Sequence, residues 1–476
     1  MSVVHVDSPP PADAAGRAAP GHRTAIIGGG ASGVLTAIQL LAGSDDPELR
    51  VEIHETTGIV GRGIAYGTND PHHLLNVRSR HMSAFADIPS DLIDWARATG
   101  RSHDPQAFLP RLDFATYLQD RLAGVLRTGG HRLSIRAGRV EDVVPHGSGF
   151  DLHTRDVVTH ADSVVLAYGN QHPRALQVDG DLLPDAPWHL PNPWDLAALR
   201  LLPDDATIVV VGTGLTAVDT VITLLEEGAA RRVVMVSRHG LLPQQHVAQQ
   251  STAWVQPVPE GELTADLLAA HVRDQVAAAA AQGVGWRAVV DGLRSATTSL
   301  WRRLPLAERR RFLDVYAREW EIHRHRMAPE VADRIRAYAD DGRLSVLGGG
   351  LVSIADRGAT CQVRVAGVAT PLTASAVVNC TGPSTDITRS DDPLLLALRE
   401  RGLVRPDPLL LGIDTTENGA LLGDDGVVPG LFAVGPPRKG TLWESTAIPE
   451  IRSQAAEVAQ GILALAARGR AGAAHT

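Results

Sequence analysis

A glycine-rich turn near the start of the chain constrains its fold more than any other feature. An apolar run at residues 24–27 leads into Gly28-x-Gly30-x-x-Gly33, which contains Ser32, and an apolar segment with helical spacing follows. In such a strand–turn–helix unit the first glycine permits a tight turn and the second lets a pyrophosphate approach the backbone. The third lets the helix pack closely on the strand. The pattern predicts a dinucleotide-binding site; the alternative is a glycine-rich turn in an ordinary α/β domain.

A glutamate after the next apolar run favours the dinucleotide site and narrows its ligand. Residues 51–55 are predicted to form the second strand, and Glu55 ends it twenty-two residues past Gly33. A carboxylate at that corner accepts hydrogen bonds from both ribose hydroxyls of an adenosine and repels a 2′-phosphate. The first site is therefore predicted to bind an adenine dinucleotide that lacks a 2′-phosphate.

A second strand–turn–helix unit begins at residue 206. Its turn has the glycine pattern with alanine in the last position, which the fingerprint tolerates, and its predicted ligand contacts are Gly212, Thr213, Gly214, Leu215 and Thr216. The following strand ends in Ser237 and Arg238, with no acid at this corner. A hydroxyl and a guanidinium suit a 2′-phosphate, because arginine offers it a bidentate fork. The second site is predicted to bind NADPH; NADH is the alternative if Arg238 is a surface arginine.

Two nucleotide sites of different preference predict an α/β fold with two dinucleotide-binding, Rossmann-like domains. FAD and NADPH satisfy both sites, and hydride transfer from nicotinamide to flavin is the simplest reason to place them together. A length of 476 residues also favours more than one core. The predicted parts are a disordered leader at 1–22, an FAD-binding domain at 23–200 and 381–470, and an NADPH-binding domain at 201–380 with a helical insert at about 259–340.

Composition and charge exclude several classes of function. The formal net charge of −9 argues against a nucleic-acid or anionic-membrane partner. No apolar run approaches the roughly 20 residues that span a bilayer, and the leader lacks the apolar region of a signal peptide. The only two cysteines, Cys361 and Cys380, are nineteen residues apart and form neither a C-x-x-C pair nor a zinc site. We therefore predict a cytoplasmic protein without a metal site and without disulfide-reductase chemistry.

Further cofactor contacts are predicted around the first site. Arg62 and Gly63 lie in a glycine-rich loop from which Arg62 reaches the pyrophosphate, although a solvated loop arginine is an equal alternative. The irregular segment at residues 70–85 is a candidate for the wall of the flavin or substrate site, since long irregular connections are often functional. From it we predict Asn76 near the flavin and Met82 as a cofactor contact. From the C-terminal part we add two residues to the cofactor site, Gly435 and Glu444. A strand at residues 409–413 and a helix from about residue 450 complete this part.

The helical insert is rich in arginine. Most of these arginines, including Arg318, are predicted to form a solvated face balanced by acids. The run from His323 to Arg326 is different, because four successive cationic or titratable side chains point all around a helix, so at least one faces inward. An inward arginine or histidine needs an anion, which is a cofactor phosphate, a substrate carboxylate or a structural acid. The candidate catalytic residues of this run are Arg324, His325 and Arg326.

Taken together, these motifs resemble a bacterial family of FAD/NAD(P)-binding proteins and, more distantly, the class B flavin monooxygenases. The segments that carry the resemblance are 26–33, 63–67, 70–77, 82–85, 211–217, 237–240, 300–303, 323–327 and 440–452. The resemblance implies FAD and NADP cofactors. The reactions known in the resembled family include amine N-oxygenation, in some members of aspartate to nitrosuccinate. The usual F-x-G-x-x-x-H signature of class B is absent from this sequence. We therefore do not expect Baeyer–Villiger or sulfoxidation chemistry.

The leading hypothesis is an NADPH-dependent flavin monooxygenase that uses molecular oxygen. It would act through a C4a-hydroperoxyflavin on a small amine or amino acid, with an acidic one such as aspartate as a candidate. Two alternatives stay open: an NAD(P)H dehydrogenase or oxidase without oxygen insertion, and a flavin-bound sensor or partner protein without turnover. A homodimer is compatible with the sequence.

Overall fold

The computed structural model describes residues 21–178, 181–182, 186–228, 230–248 and 252–473. Nearly all of the predicted leader, residues 1–20, lies outside the described residues. Within the described part of the chain, no helix is both long and apolar enough to cross a membrane.

The first part of the chain alternates strands and helices and then forms a run of strands. Its elements are β1 (Arg23–Ile27), α1 (Ala31–Ala42), β2 (Arg50–Glu55), α2 (Gly63–Tyr66), α3 (Asp91–Ala98), α4 (Arg111–Gly129), β3 (Leu133–Ala137), β4 (Val140–His146), β5 (Gly149–Thr154), β6 (Val158–Ala161) and β7 (Ser163–Leu166).

The middle part holds the second strand–turn–helix unit. Its elements up to the helical insert are β8 (Gln177–Val178), β9 (Asp181–Leu182), β10 (His189–Leu190), α5 (Leu196–Arg200), β11 (Thr207–Val211), α6 (Leu215–Glu227) and β12 (Arg232–Val236). The insert consists of α7 (Ala265–Ala280), α8 (Trp286–Gly292), α9 (Thr297–Arg303), α10 (Leu306–Val315), α11 (Ala317–Arg324) and α12 (Pro329–Asp340).

Strands return after the insert and the chain ends in a long helix. The remaining elements are β13 (Leu344–Leu347), β14 (Leu351–Asp356), β15 (Cys361–Val365), β16 (Leu372–Ala374), β17 (Ala376–Asn379), α13 (Pro393–Glu400), β18 (Ala420–Gly423), β19 (Gly426–Ala433), α14 (Lys439–Leu442) and α15 (Ile448–Ala473).

The first sheet joins the two ends of the chain. Its order is β18-β19-β7-β1-β2-β3, and every pair is parallel except β18 with β19. Strand β1 is apolar because both faces of a parallel sheet are covered. Helices α1 and α15 share one apolar core with it, to which Val34, Ile38, Val458 and Ile462 contribute. The strands of this sheet come from residues 23–166 and 420–433, and the two-part first domain stays a prediction.

The second sheet is parallel throughout, in the order β10-β17-β11-β12-β13. Helices α6 and α12 pack on one face. The small sheet β14–β16 packs on the other face. Strand β10 lies before the predicted domain boundary at residue 200 and nevertheless pairs with β17. The predicted fold class, two Rossmann-like units with a helical insertion in the second, is confirmed.

One predicted strand is absent from the described residues. Residues 409–413 form a loop in which Leu410 has φ +60°, and the carboxylate of Asp407 accepts hydrogen bonds from the N–H groups of Leu409 and Leu411 at 2.9 and 3.3 Å. An aspartate that binds the backbone two residues on favours a turn over a strand. The strand prediction was wrong, because an apolar run alone does not reveal such a turn.

Candidate active site

The first glycine turn (residues 28–33) depends on close contacts between backbones. Gly28 has φ +107°, and a Cβ added to it would lie 2.4 Å from the carbonyl oxygen of Ala167, just past β7. A Cβ on Gly33 would lie 1.9 Å from the carbonyl oxygen of Gly28. Among the described residues no side chain caps the N-terminus of α1. The N–H groups of its first turn are therefore available to an anion.

Glu55 stands beside the first glycine turn, at the end of β2. Its Oε2 accepts a hydrogen bond from the backbone N–H of Gly29 at 2.8 Å, and its Oε1 accepts one from the N–H of Thr57 at 3.3 Å. These bonds fix the carboxylate in place. Because a carboxylate accepts about four hydrogen bonds, lone pairs remain for ribose hydroxyls.

A large cavity, which we call the cofactor cavity, runs along the first glycine turn and has a volume of about 1420 Å³. This volume exceeds the range of about 300–1,000 Å³ that is usual for small-molecule pockets, as a site for a whole dinucleotide should. The predicted cofactor residues in its wall are Gly28, Gly30, Ser32, Glu55, Arg62 and Gly63. These residues fit FAD, with helix N–H groups for the pyrophosphate and Glu55 for the ribose. The loops after β7 and β17 also line the cavity.

Gly63 and Gly435, which were also predicted to contact the cofactor, lie against the first glycine turn. A Cβ on Gly30 would meet only the backbone of Gly63 among the described residues, at 3.5 Å, so the space beside it is open. Gly435 has φ +90°, and a Cβ there would lie 2.4 Å from the hydroxyl of Ser32. The chain after β19 thus reaches the first turn of α1. Arg62 is exposed at this edge of the cavity, so both of its interpretations stay open.

The second glycine turn (residues 212–217) has the same construction. Gly212 has φ +122°, and a Cβ on it would lie 2.1 Å from the carbonyl oxygen of Cys380. Around Gly214 no atom of the described residues lies within 4 Å of such a Cβ, so this side is open. Helix α6 begins with the predicted residues Leu215 and Thr216, and no side chain among the described residues caps it. Its N–H groups are therefore also available to phosphate.

The corner of the second site is held by hydroxyl groups. Thr213 Oγ1 donates a hydrogen bond to Ser237 Oγ at 3.0 Å, and the same Ser237 oxygen accepts one from the N–H of Gly240 at 3.0 Å. Arg238 follows and is exposed. The predicted pair of a hydroxyl and a guanidinium therefore stands together at the end of β12.

Arg318 reaches the same corner from the helical insert. Its Nη2 donates to Thr213 Oγ1 at 2.9 Å and to the carbonyl oxygen of Leu241. Burial lowers the pKa of Arg318 below its ordinary value; Glu321 opposes this, and the nearby charge of Arg238 adds to it. The prediction of a solvated face was wrong for this arginine. No local pattern separates it from its neighbours, because the contact spans more than a hundred residues of sequence.

The candidate catalytic arginines are paired with acids of the chain itself. Arg324 Nε lies 3.0 Å from a carboxylate oxygen of Glu444, and both side chains are buried. Arg326 binds Asp291. The sequence allowed a cofactor phosphate, a substrate carboxylate or a structural acid as the anionic partner. The structure places a structural acid beside each arginine. A substrate role for Arg324 and Arg326 stays a prediction, as does a cofactor contact of Glu444.

A further acid completes the buried charge cluster at Arg324. Glu450, which the sequence did not single out, accepts two hydrogen bonds from Arg294 at 2.6 and 2.8 Å and lies 3.7 Å from Arg324. Burial raises the pKa of Glu450, but Arg294 outweighs burial and holds that pKa below its ordinary value. His325 lies within this charged region, and burial lowers its pKa.

The remaining candidates stand away from the cofactor cavity wall. Met82 is 2% exposed and packs in the apolar core of the first domain, so its predicted cofactor contact is not seen. The carbonyl oxygen of Asn76 accepts a hydrogen bond from His246 Nε2 at 3.1 Å. Burial lowers the pKa of His246 to about 3, which keeps its ring neutral. A hydrogen bond from Asn76 to the flavin stays a prediction.

The part of the chain that contains the first glycine turn matches a known protein family. Residues 25–171 match the family model described as FAD-NAD(P)-binding. No curated protein sequence matches the chain.

Solved structures share the fold over nearly the whole chain. The reduced form of ornithine hydroxylase from Pseudomonas aeruginosa has a TM-score of 0.64 at 15% identity and covers 93% of this chain and 98% of its own. Ornithine N-hydroxylase from Kutzneria sp. 744, with reduced FAD, NADP⁺ and L-ornithine, has a TM-score of 0.60 at 16% identity and covers 94% and 99%. Thioredoxin reductase from T. acidophilum has a TM-score of 0.52 at 12% identity and covers 93% and 97%.

Two glycine substitutions in the first turn are expected to have different effects. Gly33→Ala forces a Cβ against a carbonyl oxygen and should lower the free energy of unfolding of the cofactor-free protein by about 1–3 kcal/mol. Gly30→Ala meets only an ordinary contact and should leave that stability unchanged. It should weaken FAD binding about tenfold or more, through lost N–H contacts to phosphate. Thermal unfolding and FAD titration measure the two effects. Equal destabilisation by both variants would contradict the conclusion that Gly33 is needed for backbone packing and Gly30 for access of the phosphate.

Proposed function

We propose that this chain, a flavoprotein oxidoreductase with an FAD-NAD(P)-binding domain, uses NADPH and molecular oxygen to N-oxygenate a small amine or amino acid. When bound, FAD supplies the reducible ring that accepts hydride and activates oxygen. The residues of the chain hold and orient the two nucleotides. The ornithine hydroxylases with which the chain shares its fold support this class of reaction.

The positions of the two cysteines favour the ornithine hydroxylases over thioredoxin reductase as a guide to the reaction of this chain. Cys361 packs with Val209 on one face of the second sheet, and Cys380 packs with Ile208 on the other. Successive residues of β11 point to opposite faces, so the sheet separates the two thiols. Burial raises the pKa of Cys361 to about 11 and that of Cys380 to about 12. Neither cysteine is suited to thiol–disulfide exchange, which needs an accessible thiolate.

The residues at the ends of β2 and β12 assign FAD to the first glycine turn and NADPH to the second. Glu55 holds the ribose of FAD, and α1 offers its N–H groups to the pyrophosphate. Arg238 and Arg318 hold the 2′-phosphate of NADPH, which relieves the repulsion between two neighbouring guanidinium groups. A substrate carboxylate that binds Arg324 or Arg326 would compete with Glu444 or Asp291. An acidic amino acid such as aspartate is one candidate substrate among small amines, and its carboxylate would have to displace one of these two acids from its arginine.

The nucleotide preference predicts a selective effect of Arg238. Arg238→Ala should weaken binding of adenosine 2′,5′-bisphosphate about tenfold or more, because a charge-assisted hydrogen bond contributes about 1.5–3 kcal/mol. Binding of AMP should be unchanged, and Arg318→Ala should act in the same direction. Calorimetric titration measures both ligands, with Arg232→Ala at the exposed start of β12 as the control. Equal losses for both nucleotides would show that these arginines do not recognise the 2′-phosphate.

Turnover in labelled oxygen tests the reaction itself. FAD-loaded protein, NADPH and isotopically labelled O₂ are mixed with single amines, including aspartate and ornithine. NADPH loss, hydrogen peroxide and product mass are followed together. We expect one amine to accelerate NADPH consumption and to yield a product carrying labelled oxygen on nitrogen, with little peroxide. Consumption of NADPH with all oxygen recovered as peroxide for every amine would refute N-oxygenation and favour an oxidase.

A further inference from the structure

Two histidines and one aspartate, which we call the His–Asp–His cluster, meet on the outer face of the small antiparallel sheet β4–β5–β6. His146 stands on β4, Asp151 on β5 and His160 on β6. Imidazole nitrogens and carboxylate oxygens are ligands that zinc prefers in proteins. The chain has 19 histidines, yet within its described part no other three residues of metal-binding types come this close together.

The sheet sets the positions of the three ligands. Phe150 and Leu152 of β5 pack in an apolar core on the inner face, and successive residues of a strand point to opposite faces. Asp151, which lies between them, therefore points outward. Strand β4 pairs with β5 on one side and β6 on the other, and His160 lies directly opposite Asp151. Strand pairing and the core beneath thus hold the backbone of the cluster in place without a metal ion.

The three side chains converge on one point. Asp151 Oδ2 lies 2.6 Å from His146 Nδ1, and Asp151 Oδ1 lies 2.8 Å from His160 Nδ1. One ligand atom of each residue lies within 4.8 Å of the other two. Ligand atoms around a tetrahedral zinc ion are about 3.4 Å apart, so each of these nitrogen–oxygen distances needs to open by less than about 1 Å. The imidazoles are 70% and 44% exposed and have room to rotate.

A glycine leaves space for the two rings. Gly149 lies directly opposite His146 in the register of β4 and β5. A Cβ added to Gly149 would lie 3.0 Å from His160 Nε2 and 2.5 Å from the carbonyl oxygen of Ala161. The ring of His160 therefore lies over the glycine and approaches that of His146, with 5.8 Å between the ring centres.

The protonation of the cluster is compatible with a metal ion. Hydrogen bonds from His160 and His146 hold the pKa of Asp151 below its ordinary value. An ionised carboxylate only accepts hydrogen bonds, so in the metal-free cluster each Nδ1 carries the hydrogen. A neutral imidazole can carry its single hydrogen on Nε2 instead, which leaves a lone pair on Nδ1 for a metal. A metal ion can therefore replace the two shared hydrogens.

We propose that the His–Asp–His cluster binds one zinc ion through Nδ1 of His146, Nδ1 of His160 and a carboxylate oxygen of Asp151, with water as the fourth ligand. The ion joins the three strands of the sheet and stabilises it. None of its ligands belongs to the wall of the cofactor cavity. No spacing in the sequence indicates this site, because its ligands meet only when the three strands pair, and a chain without a metal site was therefore predicted.

Calorimetric titration of the FAD-loaded protein, without a histidine tag, with ZnCl₂ tests the site. We expect one zinc ion per chain and no comparable binding of Mg²⁺, which prefers oxygen ligands. X-ray absorption at the zinc edge should show two imidazole nitrogens together with oxygen ligands, at about 2.0–2.2 Å. No binding of zinc, or zinc bound without imidazole, would overturn the proposal.

Three variants locate the bound zinc. Asp151→Asn keeps the shape of the side chain and removes its charge, and His160→Ala removes one nitrogen ligand. Each should weaken zinc binding about tenfold or more, since even the loss of an outer-shell partner costs about 10–100-fold. His103→Ala removes an exposed histidine outside the cluster and should leave the Kd unchanged. Equal zinc affinity of the wild type, Asp151→Asn and His160→Ala would overturn the proposal.

Thermal unfolding with and without zinc separates a metal site from a purely hydrogen-bonded cluster. Scans in a chelator check that the variants fold. Zinc should raise the unfolding temperature of the wild type and of His103→Ala and have little effect on His160→Ala, because a ligand stabilises only the state that binds it. A wild type that zinc does not stabilise would show that the cluster serves only through its hydrogen bonds. Because NADPH and substrate are absent, these results do not depend on the proposed reaction.

Discussion

Both nucleotide sites depend on a glycine packed against a carbonyl oxygen at the end of the neighbouring parallel strand. A Cβ would lie 2.4 Å from the oxygen of Ala167 at Gly28, and 2.1 Å from that of Cys380 at Gly212. Any side chain would push the turn off the adjacent strand. This contact directs the first turns of α1 and α6 toward the carboxyl ends of the sheets, where open α/β folds bind ligands.

The residue at the end of the next strand then differentiates the two sites. The carboxylate of Glu55 follows β2, whereas Ser237 and Arg238 follow β12. The helical insert adds to this difference through α11, which brings Arg318 to Thr213 and Arg324 to Glu444. One short helix therefore contacts both the second nucleotide site and the C-terminal return of the first domain. The insert is part of the candidate active site.

The parts of this structure that were predictable from sequence are those with local signals. Glycine spacing, apolar strands and helical periodicity identified both turns, the acid at Glu55 and the insert. Side chains whose partners lie far away in sequence were not predictable. The contacts of Arg318 with Thr213 and of Arg324 with Glu444 arise only when the insert folds back. Met82 lies in the irregular segment at residues 70–85 and packs in the apolar core of the first domain, a burial that no periodic pattern of that segment indicates.

In the proposed reaction the two glycine turns hold FAD and NADPH so that hydride passes between them. Anaerobic mixing of FAD-loaded protein with one equivalent of NADPH, deuterated at the transferred position or not, tests this directly by flavin absorbance. We predict bleaching of the oxidised flavin that is slower with the deuterated cofactor and slower again with NADH. Bound FAD that NADPH does not reduce would contradict hydride transfer between the two sites.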